Sequence, residues 1–246
     1  MPFTAMTYNI CSGKNLAREQ NISFAADVIR QVQPDFCGLN EVRAFTSDAP
    51  YDQADALGRL TGYYPVFGKS IDVAGGEYGN AFLTRRPLLE REVIHIPDRF
   101  EPGVSRVEHR TLLRLVLDLD GGPVTLFQTH FGLSDSEKQA AVKTARAAVA
   151  REANPVILMG DLNMEPGDPI LRPLLDALTD SAGERDDVRT FPSDEPKIKI
   201  DYILHTSAFR TLSLRSMDTR NSDHRPLIAG MERICKKCLY NGGLMW

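Results

Sequence analysis

The residues able to do chemistry in this chain collect at the ends of apolar runs. Asn9, Glu41, His130, Asp161 with Asn163, Asp201, and Asp223 with His224 each sit at or just past such an end, or in a short loop beside one. Carboxylates, carboxamides and imidazoles gathered at one rim can hold a hard cation, take a proton from water and donate to an anion. Singly, each has a plainer explanation. Asp161 after Gly160 is an ordinary turn residue, Glu41 a solvated strand end, and Asp223 a helix cap. Turns select Gly, Asn and Asp but have no reason to select His or Glu, so the set as a whole points to a site.

Gathering these ends requires strands buried in a common core. The spacing predicts strands over residues 3–10, 36–39, 64–67, 80–84 and 88–96, and a hairpin of 111–118 with 124–129 around Gly121-Gly122-Pro123. Further strands are predicted over 155–159, 200–205, 212–217 and 227–231. Apolar residues at Ile22, Ala25, Ala26, Ile29 and Val32 have helical spacing, and Pro34 stops that helix. Helices are also predicted over 52–61, over 134–151, where Ser134 and Glu137 form a capping signature, and over 168–178. The repeated order implies two similar α/β halves, read as two packed sheets with helices outside.

The 246 residues are 42% hydrophobic and 25% charged with a net charge of −4, which excludes a disordered tail protein and fits one soluble globular chain. An acidic balance argues against affinity gained by blanketing nucleic acid with Lys and Arg, though a local basic groove stays compatible with it. No basic leader and no long apolar stretch is present, so a cytoplasmic protein without a membrane anchor is expected. Cys11 and Cys37 read as buried free thiols. Cys235 and Cys238 form a lone Cys-x-x-Cys without neighbouring His, in a segment whose composition breaks from the rest. One domain over 1–231 and a tail of unassigned role over 232–246 are expected.

Six segments resemble, in order, the motifs of the endonuclease/exonuclease/phosphatase superfamily with its DNase I-like fold. They are Thr7-Tyr8-Asn9, Leu39-Asn40-Glu41-Val42, Gln128-Thr129-His130, Met159-Gly160-Asp161-Leu162-Asn163, Ile200-Asp201-Tyr202-Ile203 and Ser222-Asp223-His224-Arg225-Pro226. Gly-Asp-x-Asn alone is a weak signal; the ordered set is strong. Asn40 stands where many members carry Gln, a conservative change. The resemblance implies a four-layer αββα sandwich, two mixed sheets flanked by helices, and divalent-metal-dependent cleavage of phosphate esters.

It further implies that Glu41 ligates the metal, with Asn9 and Asp223 completing the set. Asp161 would orient or deprotonate water and Asn163 would hold that water or a phosphate oxygen. His224 would donate to the phosphate while Asp201 fixes its tautomer. His130 would contact the phosphate, oriented by Glu108 of Glu108-His109-Arg110, with Arg110 a further phosphate contact. Asn80 lies on a strand that members direct toward the site, and reads equally well as a turn residue. Oxygen-rich ligands favour Mg²⁺, with Mn²⁺ a substitute. His95, His109 and His205 match no motif position and read as structural. Lys197 and Lys199 read either as positive potential beside the phosphate or as a solvated edge.

The expected function is hydrolysis of a phosphate ester, a phosphodiester or nuclease-type substrate before a monoester, by a monomer acting on a nucleic-acid end or a small phosphodiester. The competing class is a binding module that keeps the fold without catalysis; loss of Glu41, Asp161 or His224 would mark it, and all three are present.

Overall fold

A computed structural model describes residues 1–99 and 108–234. In chain order the elements are β1 (Pro2–Asn9), α1 (Ser23–Val32), β2 (Phe36–Thr46), β3 (Ala49–Asp52), α2 (Gln53–Thr61), β4 (Tyr64–Val73), β5 (Gly76–Thr84) and β6 (Leu88–Ile96). Then follow β7 (Arg110–Leu119), β8 (Gly122–His130), α3 (Asp135–Ala150), β9 (Val156–Asp161), α4 (Arg172–Leu175), β10 (Thr179–Asp180), β11 (Asp201–His205), β12 (Phe209–Ser216) and β13 (Leu227–Arg233).

Alternation along the strands builds three apolar layers. Phe3 and Ala5 of β1, Phe36 of β2, Phe82 of β5, Leu113 and Leu115 of β7, Leu126 of β8, and Ile157 and Met159 of β9 meet between the two sheets. Their neighbours point outward. Met6, Tyr8 and Leu39 pack beneath Ala25, Ala26 and Ile29 of α1 and Leu57 of α2. Phe127, Leu158 and Tyr202 pack beneath Ala141 and Ala145 of α3. Each fully buried Phe or Leu contributes about 1.5–3 kcal/mol.

One sheet runs β12-β13-β1-β2-β5-β4, with β3 on β2; the other runs β10-β11-β9-β8-β7-β6. Each contains one parallel pair, β1 with β2 and β8 with β9, joined by the crossovers that carry α1 and α3. The result is the four-layer αββα sandwich, two mixed sheets between helices.

The structure departs from the pattern reading in several elements. β2 continues through Glu41 to Thr46, beyond its predicted end, by way of a register shift against β5 between Leu39 and Val42. The helix expected over 168–178 shrinks to Arg172–Leu175. Pro169 and Pro173 lack the N–H that a helix needs, and Asp168 Oδ1 accepts from the Ile170 amide at 2.8 Å, which holds a turn instead. The tail was expected from 232, yet Glu232 and Arg233 pair with β12. Cys235 and Cys238 lie outside the described residues. Among the described residues no helix is long and apolar enough to cross a membrane.

Candidate active site

The alternation that supplies the inter-sheet core turns polar at one end. The inward row of β1 runs Phe3, Ala5, Thr7, Asn9, and that of β9 runs Ile157, Met159, Asp161. On the same face lie Asn40 of β2, Asn80 of β5, Gln128 and His130 of β8, and Asp201 of β11. Register aligns them: Asn9 opposes Asn40, while Asp161 opposes both His130 and Asp201.

Beneath the rim these groups form an amide network centred on Asn40, in which Gln128 Oε1 is left without a partner. Asn40 Oδ1 accepts from the Asp161 amide at 3.0 Å and from Gln128 Nε2 at 2.9 Å. Its Nδ2 donates to Asn80 Oδ1 at 2.7 Å and to the Thr129 carbonyl at 2.8 Å. Asn80, predicted beside the site, is therefore a strut below it. Gly160 is required here: its φ is +143° and a Cβ would lie 1.8 Å from the Thr129 carbonyl oxygen.

Above the network a hydrogen-bonded chain spans both sheets. Asn9 Nδ2 donates to Glu41 Oε1 at 3.0 Å and to Asp161 Oδ2 at 3.2 Å. Its Oδ1 accepts from the Cys11 amide at 3.0 Å, so in this structure Asn9 ties the two carboxylates together and its oxygen is engaged by backbone. Asp161 Oδ2 also lies 3.5 Å from Nε2 of both His130 and His224. His224 Nδ1 is 2.9 Å from Asp201 Oδ2. Asn163, at φ +51°, gives its amide N–H to Asp161 Oδ1 at 3.0 Å and its Nδ2 to the Phe131 carbonyl at 2.9 Å.

Glu41 owes its direction to backbone. It adopts φ +61° at the register shift of β2, which lifts its carboxylate out of the alternation. Asp223 follows Ser222, whose hydroxyl donates to the Asn9 carbonyl at 2.7 Å and so pins the loop against β1.

The electrostatics separate the ionisable groups. Burial pushes the Asp161 carboxyl up to about 7, against the attraction of His224. Burial alone would lower His224, but Asp201 and Asp161 push it up to about 10, so it is an imidazolium at neutral pH. Burial, Arg110 and His224 hold His130 well below the ordinary histidine range, as a neutral ring. Burial also pushes Glu41 up, opposed by the Asn9 hydrogen bond and reinforced by Asp223. A carboxylate in that position is short of positive charge.

Ligand atoms of Asp161, Asp201 and His224 lie within 4.8 Å of one another. His224 Nδ1 pairs with Asp201 Oδ2, while Asp201 Oδ1 is buried without a partner. Glu108 does not orient His130: it pairs with Arg110 at 3.0 Å, and His130 Nδ1 is buried without a partner. Lys199 is neither a phosphate contact nor a solvated edge. It is buried, bonded to Asp180 at 2.8 Å and set 3.1 Å over the Tyr202 ring. Of the remaining histidines, His109 pairs with Asp98 at the surface, and buried His205 lies 3.2 Å from Thr211 Oγ1.

All of this opens into a cleft of about 1040 Å³ reached by Glu41, His130, Asp161, Asn163 and His224. Its walls include Tyr78, Met164, Phe191 and Ile198, which carry no motif, and Ile200, which opens the Ile200-Asp201-Tyr202-Ile203 segment. For Met164, Phe191 and Ile198 the sequence signal was an apolar residue inside an otherwise polar loop, whereas Tyr78 lies on β5. The model of the Endonuclease/Exonuclease/phosphatase family matches residues 6–224, from β1 to His224. The chain belongs to that family.

Exodeoxyribonuclease III of Haemophilus influenzae is 26% identical over 152 residues, which cover 57% of this chain and 52% of that protein. The chain thus matches about half the length of that curated relative. An endonuclease/exonuclease/phosphatase from Beutenbergia cavernae is 25% identical with a TM-score of 0.75, covering 94% of this chain and 72% of that one. A mannosyl-6-phosphatase of Bacteroides thetaiotaomicron, 17% identical, shares the fold at a TM-score of 0.74 over 94% of this chain and 99% of its own.

Proposed function

We propose that this protein is a divalent-metal-dependent phosphoesterase that cleaves a phosphodiester in preference to a monoester. The observation that carries the reading is the buried chain Asp201–His224–Asp161–Asn9–Glu41 at the floor of an open cleft. It sets a base poised near neutrality beside a fixed imidazolium.

Family membership implies a divalent ion, and the donor set fits one. Glu41 and Asp223 offer hard oxygen ligands whose mutual repulsion a cation would relieve. The neighbouring Cys11 thiol is pushed up to about 12 by burial and by Asp223, so it supplies no soft thiolate. Glu41 and Asp223 would hold Mg²⁺ or Mn²⁺, with Asn9 keeping Glu41 in position. When bound, the ion supplies positive charge at the phosphate.

The protein's own groups account for the remaining steps. Asp161, held by the Asn163 amide and by Asn9, accepts the proton of the attacking water. Asn163, whose Nδ2 is committed to Phe131, keeps Oδ1 as an acceptor to orient that water. His224 donates from Nε2 to a non-bridging phosphate oxygen while Asp201 holds Nδ1, and this donor gains strength as charge develops. Neutral His130 offers a hydrogen bond without adding charge.

The test is hydrolysis of bis(p-nitrophenyl) phosphate and p-nitrophenyl phosphate with Mg²⁺, Mn²⁺ or EDTA, with calorimetric titration of the metal. Asp161→Asn is expected to lose about 10³-fold or more in kcat and to keep its metal affinity. Glu41→Gln is expected to weaken metal binding. An unchanged rate in Asp161→Asn refutes the role of the base.

A further inference from the structure

Resting on the phosphoesterase reading, we infer that the cleft selects a small ester with a single phosphate and an uncharged, ring-bearing remainder, and turns away polyanions such as nucleic acid strands.

Charge is the first argument. Among the described residues the cleft is lined by six carboxylates and only two bases, Arg110 and Lys138. Arg110 is already paired with Glu108. A divalent ion and the His224 imidazolium still leave the cleft without positive charge in reserve. One singly charged diester can be neutralised there; every further phosphate meets the remaining carboxylates of the lining, among them the exposed Asp135 and Glu165 and half-buried Asp168. Strand binding needs the opposite, a row of bases tracking successive phosphates.

Shape is the second, independent argument. Next to the imidazolium stands an apolar wall of Phe191, Ile198, Ile200 and Met164. Phe191 lies 4.9 Å from the His224 ring, centroid to centroid. The loop bearing this wall is fixed from both sides. Phe191 and Ile198 exchange backbone hydrogen bonds at 3.1 Å, the Ser193 amide donates to the Asp223 carbonyl at 2.8 Å, and the Arg225 amide donates to the Thr190 carbonyl at 2.7 Å. A preformed apolar surface beside the reacting phosphate favours a flat, weakly polar group and loses little entropy on binding it. The cleft volume suits a ligand of nucleotide size.

The experiment compares kcat/KM of the Mg²⁺-loaded protein on thymidine 5′-p-nitrophenyl phosphate and on single-stranded and duplex oligonucleotides, each at 50 and 200 mM NaCl. The nucleoside ester is expected to be cleaved at least 100-fold more efficiently per bond. Raising salt should improve the oligonucleotide rate, since screening weakens repulsion. Glu165→Lys combined with Asp135→Asn should raise oligonucleotide cleavage about fivefold and cleavage of the singly charged nucleoside ester by less, so that the ratio between them narrows. Oligonucleotide cleavage that equals the small ester, or falls with salt, overturns the inference. Should no ester be hydrolysed, the phosphoesterase reading itself fails. The selection is then judged by calorimetric binding of thymidine monophosphate against a 12-nucleotide strand, and tighter binding of the strand overturns it.

Discussion

Replacing Asn40 by Leu tests whether the amide network beneath the rim holds both fold and site. The two side chains are close in volume, so the change removes hydrogen bonds with little cavity. Asn40 is fully buried and makes four of them. Gln128 keeps a second partner in Thr7 at 3.2 Å, whereas the Asp161 amide and Asn80 Oδ1 lose theirs. At about 1–3 kcal/mol for each stranded buried group, the expected loss is about 4 kcal/mol. Against a total of about 5–15 kcal/mol that is a large fraction, and it lowers Tm by about 10 °C in a chain of this size. Urea unfolding followed by circular dichroism measures it, and kcat should fall as well, because the Asp161 backbone loses its anchor. Asn40→Gln adds a methylene inside a closed cage, at about 1–3 kcal/mol of overpacking, so here this exchange is not conservative. Asn40→Asp keeps the acceptor but, when ionised, turns it against Asn80 Oδ1 and the Thr129 carbonyl. Its folded carboxyl is thereby raised, so its deficit should shrink as the pH falls. A loss below about 1 kcal/mol for Asn40→Leu, with an unchanged denaturant slope, would refute the reasoning.

Three other outcomes follow from the geometry. In the metal-free protein, imidazole NMR should find His224 protonated through neutral pH and releasing its proton toward about 10, with His130 neutral throughout. The stabilisation from a raised histidine is complete below about 6.5 and disappears as pH climbs through the folded value, and Asp201→Asn should bring that value down; a His224 titrating below 7 in the parent contradicts the ion pair. Burial lowers Lys199 to about 8 despite Asp180, so its contribution to stability should rise with pH between there and 10.5. The stability of the parent relative to Lys199→Met should rise across that window, and a flat difference would place the lysine in solvent. Ser134→Ala removes a complete capping box at α3 and should cost about 1 kcal/mol in urea unfolding, with Ser134→Asp close to neutral.

What the sequence made legible was whatever depends on period. Inward rows such as Phe3, Ala5, Thr7, Asn9 and Ile157, Met159, Asp161 can be counted off, and a shared core then forces their ends together. What escaped depends on backbone departures from the period or on distant pairings. Glu41 lies at a register shift with φ +61°, which no alternation reveals. Lys199 read as a phosphate-side charge or a solvated edge because the two-residue strand Thr179–Asp180 that brings Asp180 to it has no pattern to detect. The helix predicted over 168–178 left out of account the two prolines within it, Pro169 and Pro173. Glu108 beside His130 was an inference from motif order, and the structure gives Glu108 a nearer partner, Arg110, two residues along the same segment.

Core and site are therefore two ends of one set of rows, which sets where the protein can change. Asn40, Gln128 and Asn80 cannot be altered without cost to stability, because they terminate the apolar layer and Asn40, held by the other two, takes the Asp161 amide. Asp135 and Glu165 stand outside every row, exposed on a helix start and a loop, with no role in the sheets. Substitutions at the rim can thus move substrate preference while folding stays intact, whereas substitutions in the network must move both together. The Asn40 and Glu165 variants measure the two halves of that division, and a Glu165→Lys chain as unstable as Asn40→Leu would remove it.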